Sequence, residues 1–328
     1  MRILLAFLLS LAVTVAMGFV FIPMLRRLKA GQSIKRDGPV WHLSKEGTPT
    51  MGGILFITGI LCAVLVLGFP EFRGGKYSAL SMLAFSLIQG GIGFFDDFMK
   101  IRHHANEGLK GTQKFLLQLA VAVAFILLLR YLHFLSPNLY VPFAGVTLPL
   151  PEPLYVIFAA FVIVGTVNSV NLTDGVDGLV SGVTLPVALC FCALAAVWHE
   201  TPQSLFAAAL AGGLVGFLFF NFHPAKVFMG DTGSLFLGGA VCALAFAMDM
   251  PLILVPLGIV YICEALSDIL QVGYFKLTHG KRIFKMAPIH HHFEKCGWSE
   301  KKVFAFFSGV SLFFALLTFL GVYSRYGL

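Results

Sequence analysis

Asp96, Asp97, Asp174, Asp177, Asp231, Glu264 and Asp268 all stand at or near the ends of long apolar runs. Carboxylates beside hydrocarbon are costly, so they pair, coordinate a cation or line a polar cavity. In GIGFFDDFMK the adjacent Asp96 and Asp97 repel each other and resist joint ionisation without a cation nearby. Lys100, four residues after Asp96, can pair with it on a helix. In NSVNLTDGVDGLVSG, Asn171, Asp174 and Asp177 are spaced by threes, so a helical or turn-like path presents them to one side. Gly175 and Gly178 let a ligand approach the backbone, and no Lys or Arg lies close in sequence to neutralise the two aspartates. In NFHPAKVFMGDTGS, Pro224 interrupts a helix and Asp231 begins the next, at the positive end of its dipole, which suits a hard cation such as Mg²⁺. Phe228 offers an aromatic face to a nucleobase, although the same residue also suits lipid or core. In KMAPIHHHFEKCGW three consecutive histidines lack a Cys or His partner at zinc spacing; an extended strand would turn His290 and His292 to one side. With Lys281, Arg282 and Lys285 they suit a phosphate. Singly, each motif reads as an ordinary helix end. Together they pair anionic oxygens for a divalent cation with basic groups for phosphate, the logic of phosphoryl transfer.

The elements that position these residues are apolar. The chain has 328 residues, 58% hydrophobic and 12% charged, with a mean hydropathy of +0.88. Soluble domains carry about 25% charged residues, so lipid is the solvent here. Ten segments approach the ~20 residues that cross a bilayer: roughly 3–25, 51–69, 77–95, 115–132, 154–171, 178–198, 204–221, 234–250, 251–275 and 303–325. The first resembles a signal peptide, but its apolar run continues to Met24, past the ~7–15 residues of an h-region, and reads as a retained helix. Of 23 Lys and Arg residues, 18 fall after odd-numbered spans and five on the opposite face, which places the odd-numbered loops in the cytoplasm and both termini outside. The net charge of +7 therefore reports orientation and excludes nucleic acid as the partner. Six cysteines form no CxxC, and five sit in apolar runs as packing residues. The outer stretch SPNLYVPFAGVTLPLPEP alternates as a small surface hairpin would. The expectation is an all-α polytopic membrane protein of about ten transmembrane helices, one domain over 1–328.

TPTMGG (48–53), FFDD (94–97), NLTDGVDGL (171–179), NFHPAKVFMGDTGS (221–234) and PIHHHFE (288–294) resemble, in order, the motifs of the phospho-N-acetylmuramoyl-pentapeptide transferase family. That family belongs to the polyprenyl-phosphate N-acetylhexosamine-1-phosphate transferases. The resemblance implies transfer of phospho-MurNAc-pentapeptide from UDP-MurNAc-pentapeptide to undecaprenyl phosphate, giving lipid I and UMP with Mg²⁺. It implies a homodimer in the bacterial cytoplasmic (inner) membrane, with the active site facing the cytoplasm and membrane lipid around it. It also implies residue roles. Asp231 holds Mg²⁺; Asp96 and Asp97 serve the lipid phosphate, with Asp96 the candidate base. Asn171, Asp174, Gly175, Asp177, Asn221 and Phe228 form the nucleotide pocket. His290, His291 and His292 contact phosphate or substrate, with His290 placed among the catalytic residues. Lys114 contacts phosphate, and Thr50 of TPTMGG binds substrate. Glu107 departs from the family pattern, where a Lys precedes Gly-Leu. Two other readings compete: a sister enzyme that transfers GlcNAc-1-phosphate to the same lipid, and a cation-coupled transporter, which would place its carboxylates near mid-span with repeat symmetry.

Overall fold

The computed structural model describes residues 1–27, 47–103 and 108–326; Lys29, Lys35, Arg36, Lys45 and Glu107 lie outside them. With so few charges, backbone polar groups in lipid must be satisfied within each segment, so the chain folds as helices. These are α1 (Arg2–Arg27), α2 (Gly53–Leu67), α3 (Phe69–Arg73), α4 (Ser78–His103), α5 (Gly111–Tyr131), α6 (Glu152–Thr173) and α7 (Leu179–Val197). They continue with α8 (Thr201–Asn221), α9 (Gly230–Ala247), α10 (Leu254–Leu257), α11 (Ile259–Leu277), α12 (Ile289–Lys295) and α13 (Glu300–Val322). Between α5 and α6, β1 (Asn138–Val141) and β2 (Val146–Pro149) pair antiparallel in the expected hairpin, Val141 opposite Val146.

Each of the ten apolar segments falls on a helix, with two corrections. Among the described residues, eight helices are long and apolar enough to span alone. The segment expected as one span over 251–275 is instead broken: a short turn over Pro251–Ile253 and α10 meet α11 at Gly258 with a bend of 79°. Counted as one span, that bent pair is the ninth. The second correction is α2, whose 15 residues reach only ~22 Å, short of the ~30 Å hydrocarbon core. It is short because it starts within the protein, where the N–H groups of Gly52 and Gly53 donate to the carbonyls of Phe228 and Met229.

α9 forms the centre, with α4, α6 and α2 packed around it, and α8 lies against α1, α7 and α2. Its sequence GDTGSLFLGGAVCALAFA is rich in Gly and Ala, which lets neighbouring backbones approach closely where hydrocarbon offers no hydrophobic drive. The outer helices α1, α5 and α13 expose Leu4, Phe19, Leu116, Leu127, Phe313 and Leu320, an apolar belt suited to lipid. Two ends of the bundle follow. At one, α4 and α6 finish and α5 and α9 begin. At the other, Ser136 bonds Asp249 through its N–H (3.0 Å) and Oγ (2.7 Å), and Arg325 donates to the carbonyl of Met248 (3.3 Å). Arg2 pairs with Glu71 just after α2. Both ends of the described chain thus lie away from the end where Asp96, Asp97 and Asp231 meet.

Candidate active site

The site is built on the start of α9. A helix N-terminus leaves N–H groups without intrahelical acceptors and favours negative charge. Here the acceptor comes from another helix. Asp97, in the last turns of α4 and 3% exposed, accepts Asp231 N–H at Oδ1 (3.2 Å), and Thr232 N–H (2.9 Å) and Thr232 Oγ1 (2.7 Å) at Oδ2. Gly230 enters the helix at φ +72°, where a Cβ would lie 2.6 Å from Asp97 Oδ2 and 2.8 Å from Thr50 Oγ1. Thr50 is thereby beside Asp97. The TPTMGG segment is strapped to the same loop, since Phe228 N–H donates to Pro49 and Gly52 N–H to Phe228, both at 2.8 Å.

The Asp231 side chain gathers groups from three other helices. Its Oδ2 accepts Lys100 Nζ from α4 and Lys114 Nζ from α5, each at 2.9 Å. Its Oδ1 accepts Asn171 Nδ2 from α6 at 2.8 Å, and the same amide donates to Ser234 Oγ at 2.7 Å. Lys100 also pairs with Asp96, as its spacing predicts, and Asp96 Oδ1 accepts Leu109 N–H at 2.7 Å. One oxygen each from Asp96, Asp97 and Asp231 lies within 4.8 Å of the others. Three close carboxylates with two ammonium groups leave one negative charge uncompensated, and an all-oxygen set is the donor chemistry of a hard divalent cation. Both lysines share one oxygen of Asp231, so a divalent cation held by that oxygen would compete with them for it. The two ammonium groups would then be available to an anionic ligand.

The turn between α6 and α7 separates residues that their spacing by threes placed on one side. Asn171 faces Asp231, but α6 ends at Thr173 and the turn sends Asp177 to the 223–225 loop. There Asp177 Oδ2 accepts Ala225 N–H (2.9 Å) and lies 3.1 Å from His223 Nδ1, while Glu300 Oε2 accepts Asp177 N–H (3.3 Å). Asn221, 2% exposed, spends its amide on backbone, accepting Gly178 N–H (3.1 Å) and donating to Val227 (3.0 Å). It locks the Asp174–Gly178 turn to the half-buried Phe228 loop. Asp174 lies between the clusters. Burial, then the carboxylates of Asp231, Asp97 and Asp177, push its pKa well above the ordinary carboxylate range. A folded-state pKa above the unfolded one costs stability once pH exceeds the unfolded value near 4, and the cost grows until the folded pKa is reached. Asp174→Asn is therefore expected to raise the melting temperature at pH 7.5 by about 2 °C or more, with little change at pH 4. Thermal scans at the two pH values check it.

The histidines are helical, not extended. They occupy α12, where successive residues turn by ~100°, so His290 and His292 do not share a side. His290 is fully buried against Glu264 of α11 (Nδ1 to Oε2, 2.9 Å). His291 Nδ1 meets Glu294 (2.6 Å), and His292 Nδ1 accepts Lys285 N–H (3.1 Å). Sequence reasoning singled out Glu264 but not its pairing with His290, and it missed the reach of Lys100 to Asp231 and the parts played by His223, Gln271 and Glu300. Gln271 holds the loop before α12 by accepting Ile283 and Phe284 N–H (3.1 and 3.0 Å) and donating to Phe284 (3.0 Å). A polar residue on an otherwise apolar helix is the signal that finds Glu264 and Gln271.

Residues 79–249 match the family model described as glycosyl transferase family 4, and residues 45–57 match phospho-N-acetylmuramoyl-pentapeptide-transferase signature 1. The chain is similar along nearly its whole length to curated phospho-N-acetylmuramoyl-pentapeptide-transferases. The relative from Clostridium acetobutylicum is 46% identical over 315 residues, covering 96% of this chain and 97% of the relative. That from Heliobacterium modesticaldum is 49% identical over 318 residues, covering 97% and 96%. With this identity at full coverage, and with the signature falling on the segment strapped beside Asp231, the chain belongs to the phospho-N-acetylmuramoyl-pentapeptide-transferase family.

Proposed function

We propose that this chain transfers phospho-N-acetylmuramoyl-pentapeptide from UDP-MurNAc-pentapeptide to undecaprenyl phosphate, forming lipid I and releasing UMP. The observation that carries the reading is the Asp231 cluster, where α4, α5, α6 and α9 bring three carboxylates and two lysines to one end of the bundle. An oxygen of the lipid phosphate attacks the β-phosphorus of the UDP sugar; the bond from that phosphorus to the bridging oxygen breaks, and UMP leaves with that oxygen. A phosphomonoester is largely dianionic at pH 7, with a second pKa of about 6, so the attacking oxygen needs no strong base. Mg²⁺ held by Asp231, with Asp96 beside it, would neutralise charge on the diphosphate. Asp97 keeps Asp231 in place, and Lys100 and Lys114 turn from Asp231 to phosphate oxygens. The Asp174–Gly175 turn, Asp177, Asn221, Phe228 and Thr50 shape the nucleotide side, and His290, His291 and His292 border it from α12. Positioning and charge neutralisation carry most of the rate.

The cluster faces the cytoplasm of a bacterial cytoplasmic membrane, a placement supported by the 18 to 5 excess of basic residues on that face. On the family resemblance the protein works as a homodimer. Carboxylates gathered at one end of the helices fit a transferase at the membrane surface better than a transporter. UMP release by purified protein is expected to require UDP-MurNAc-pentapeptide, undecaprenyl phosphate and Mg²⁺ together, and to cease on chelation with EDTA. Equal release with UDP-GlcNAc as donor, or full release without the lipid, would overturn the reading.

A further inference from the structure

Glu264 and His290 are both 0% exposed, and they stand 26 residues apart in sequence, on α11 and α12. Glu264 Oε2 lies 2.9 Å from His290 Nδ1 and also accepts the His290 backbone N–H at 3.4 Å. A carboxylate only accepts, so Nδ1 carries the proton and the ring orientation is fixed from behind. The other ring nitrogen, Nε2, has no hydrogen-bond partner among the described residues. It is aimed at the turn after α6, where a Cβ on Gly175 would stand only 2.1 Å from it. Only a glycine lets the imidazole come this close to the turn that carries Asp174. Burying an ionisable pair inside a membrane protein is expensive, and pinning α12 to α11 by itself would need no titratable group. An oriented imidazole with its far nitrogen unspent is the arrangement by which a carboxylate positions a histidine to act on a third group.

Resting on the transfer reading above, we propose that Glu264 is a positioning residue for that reaction. It holds the His290 ring by accepting from Nδ1–H, so that in its imidazolium form the ring donates a hydrogen bond from Nε2–H across Gly175 to an anionic oxygen of the sugar diphosphate. No covalent bond is made to the histidine. The donor strengthens as negative charge moves onto the departing UMP oxygen, so the effect falls on turnover more than on binding.

Glu264→Gln keeps the shape and an oxygen that accepts from Nδ1 but removes the charge. It is expected to fold with an unchanged melting temperature, to hold KM for the UDP sugar within about twofold, and to lose about 10–100-fold in kcat, the scale on which orienting partners act. Glu264→Asp restores part of that loss. Because Glu264 acts only through His290, adding Glu264→Gln to His290→Asn costs no further activity. A carboxylate that serves packing alone gives the reverse: wild-type kcat in Glu264→Gln, or losses that multiply in the double variant, and either overturns the role. Wild-type protein assayed in parallel separates the two levels. If it releases no UMP, the transfer reading falls and the role with it; if it turns over and Glu264→Gln matches it, only the role falls.

Discussion

Asp231→Asn is expected to lower turnover by about 10³-fold or more while leaving the fold intact, because the substitution keeps the shape and removes the charge. Asparagine still offers an oxygen to Asn171 Nδ2, and the cap on α9 comes from Asp97, not from the Asp231 side chain. What disappears is the anionic oxygen shared by Lys100 and Lys114. Without it the site loses the carboxylate that two ammonium groups share and that, in the proposed reaction, a divalent cation would take. UMP release at saturating substrate and a thermal scan of the same preparation check both halves. A folded Asp231→Asn protein with near-normal turnover removes Asp231 from the chemistry.

The second large effect is expected at Asp97, for a different reason. Asp97→Ala leaves two N–H groups and a hydroxyl at the start of α9 without their acceptor. Loss of an N-cap costs about 0.5–2 kcal/mol, and a buried donor left unsatisfied about 1–3 kcal/mol. The melting temperature should therefore fall by several degrees. Turnover should fall about 10²-fold or more even where the protein is folded, since a frayed first turn lets Asp231 move by more than the site tolerates. Asp97→Asn retains an acceptor and should recover much of the stability. Thr232→Val should be nearly silent once Asp97 is already alanine, because the two share one interaction. A stable, fully active Asp97→Ala protein would mean that α9 is held at its start by something other than this cap.

Much of the architecture was legible because its cause is local. Apolar runs of membrane length mark helices, the alternation over 138–149 marks the hairpin, and Asp231 following the interruption at Pro224 marks the start of α9. The break at Gly258 was not read, because the apolar run on both sides of it masked the 79° bend, although Pro256 and Gly258, two residues that weaken a helix, stand at it. α2 read as a full span because its sequence does not tell that its first turn lies against the Phe228 loop. Within the site, the pairing of Lys100 with Asp96 follows from helical spacing, whereas its bond to Asp231 joins residues 131 apart. The histidines misled for a physical reason. Three in a row after a proline can extend or coil equally well, and the buried Glu264 that receives His290 decides in favour of the helix. Asp177 was misplaced because spacing by threes persists through a turn while direction does not.

In the proposed reaction Asp231, with Asp96 beside it, holds a divalent cation against the substrate diphosphate. Electron paramagnetic resonance of Mn²⁺ added to the protein in lipid nanodiscs reads this without turnover. Wild-type protein is expected to bind one Mn²⁺ per chain, more tightly once UDP-MurNAc-pentapeptide is present, and Asp231→Asn to lose that binding with the nucleotide still able to bind. Equal Mn²⁺ binding by the two proteins, nucleotide present, would contradict it.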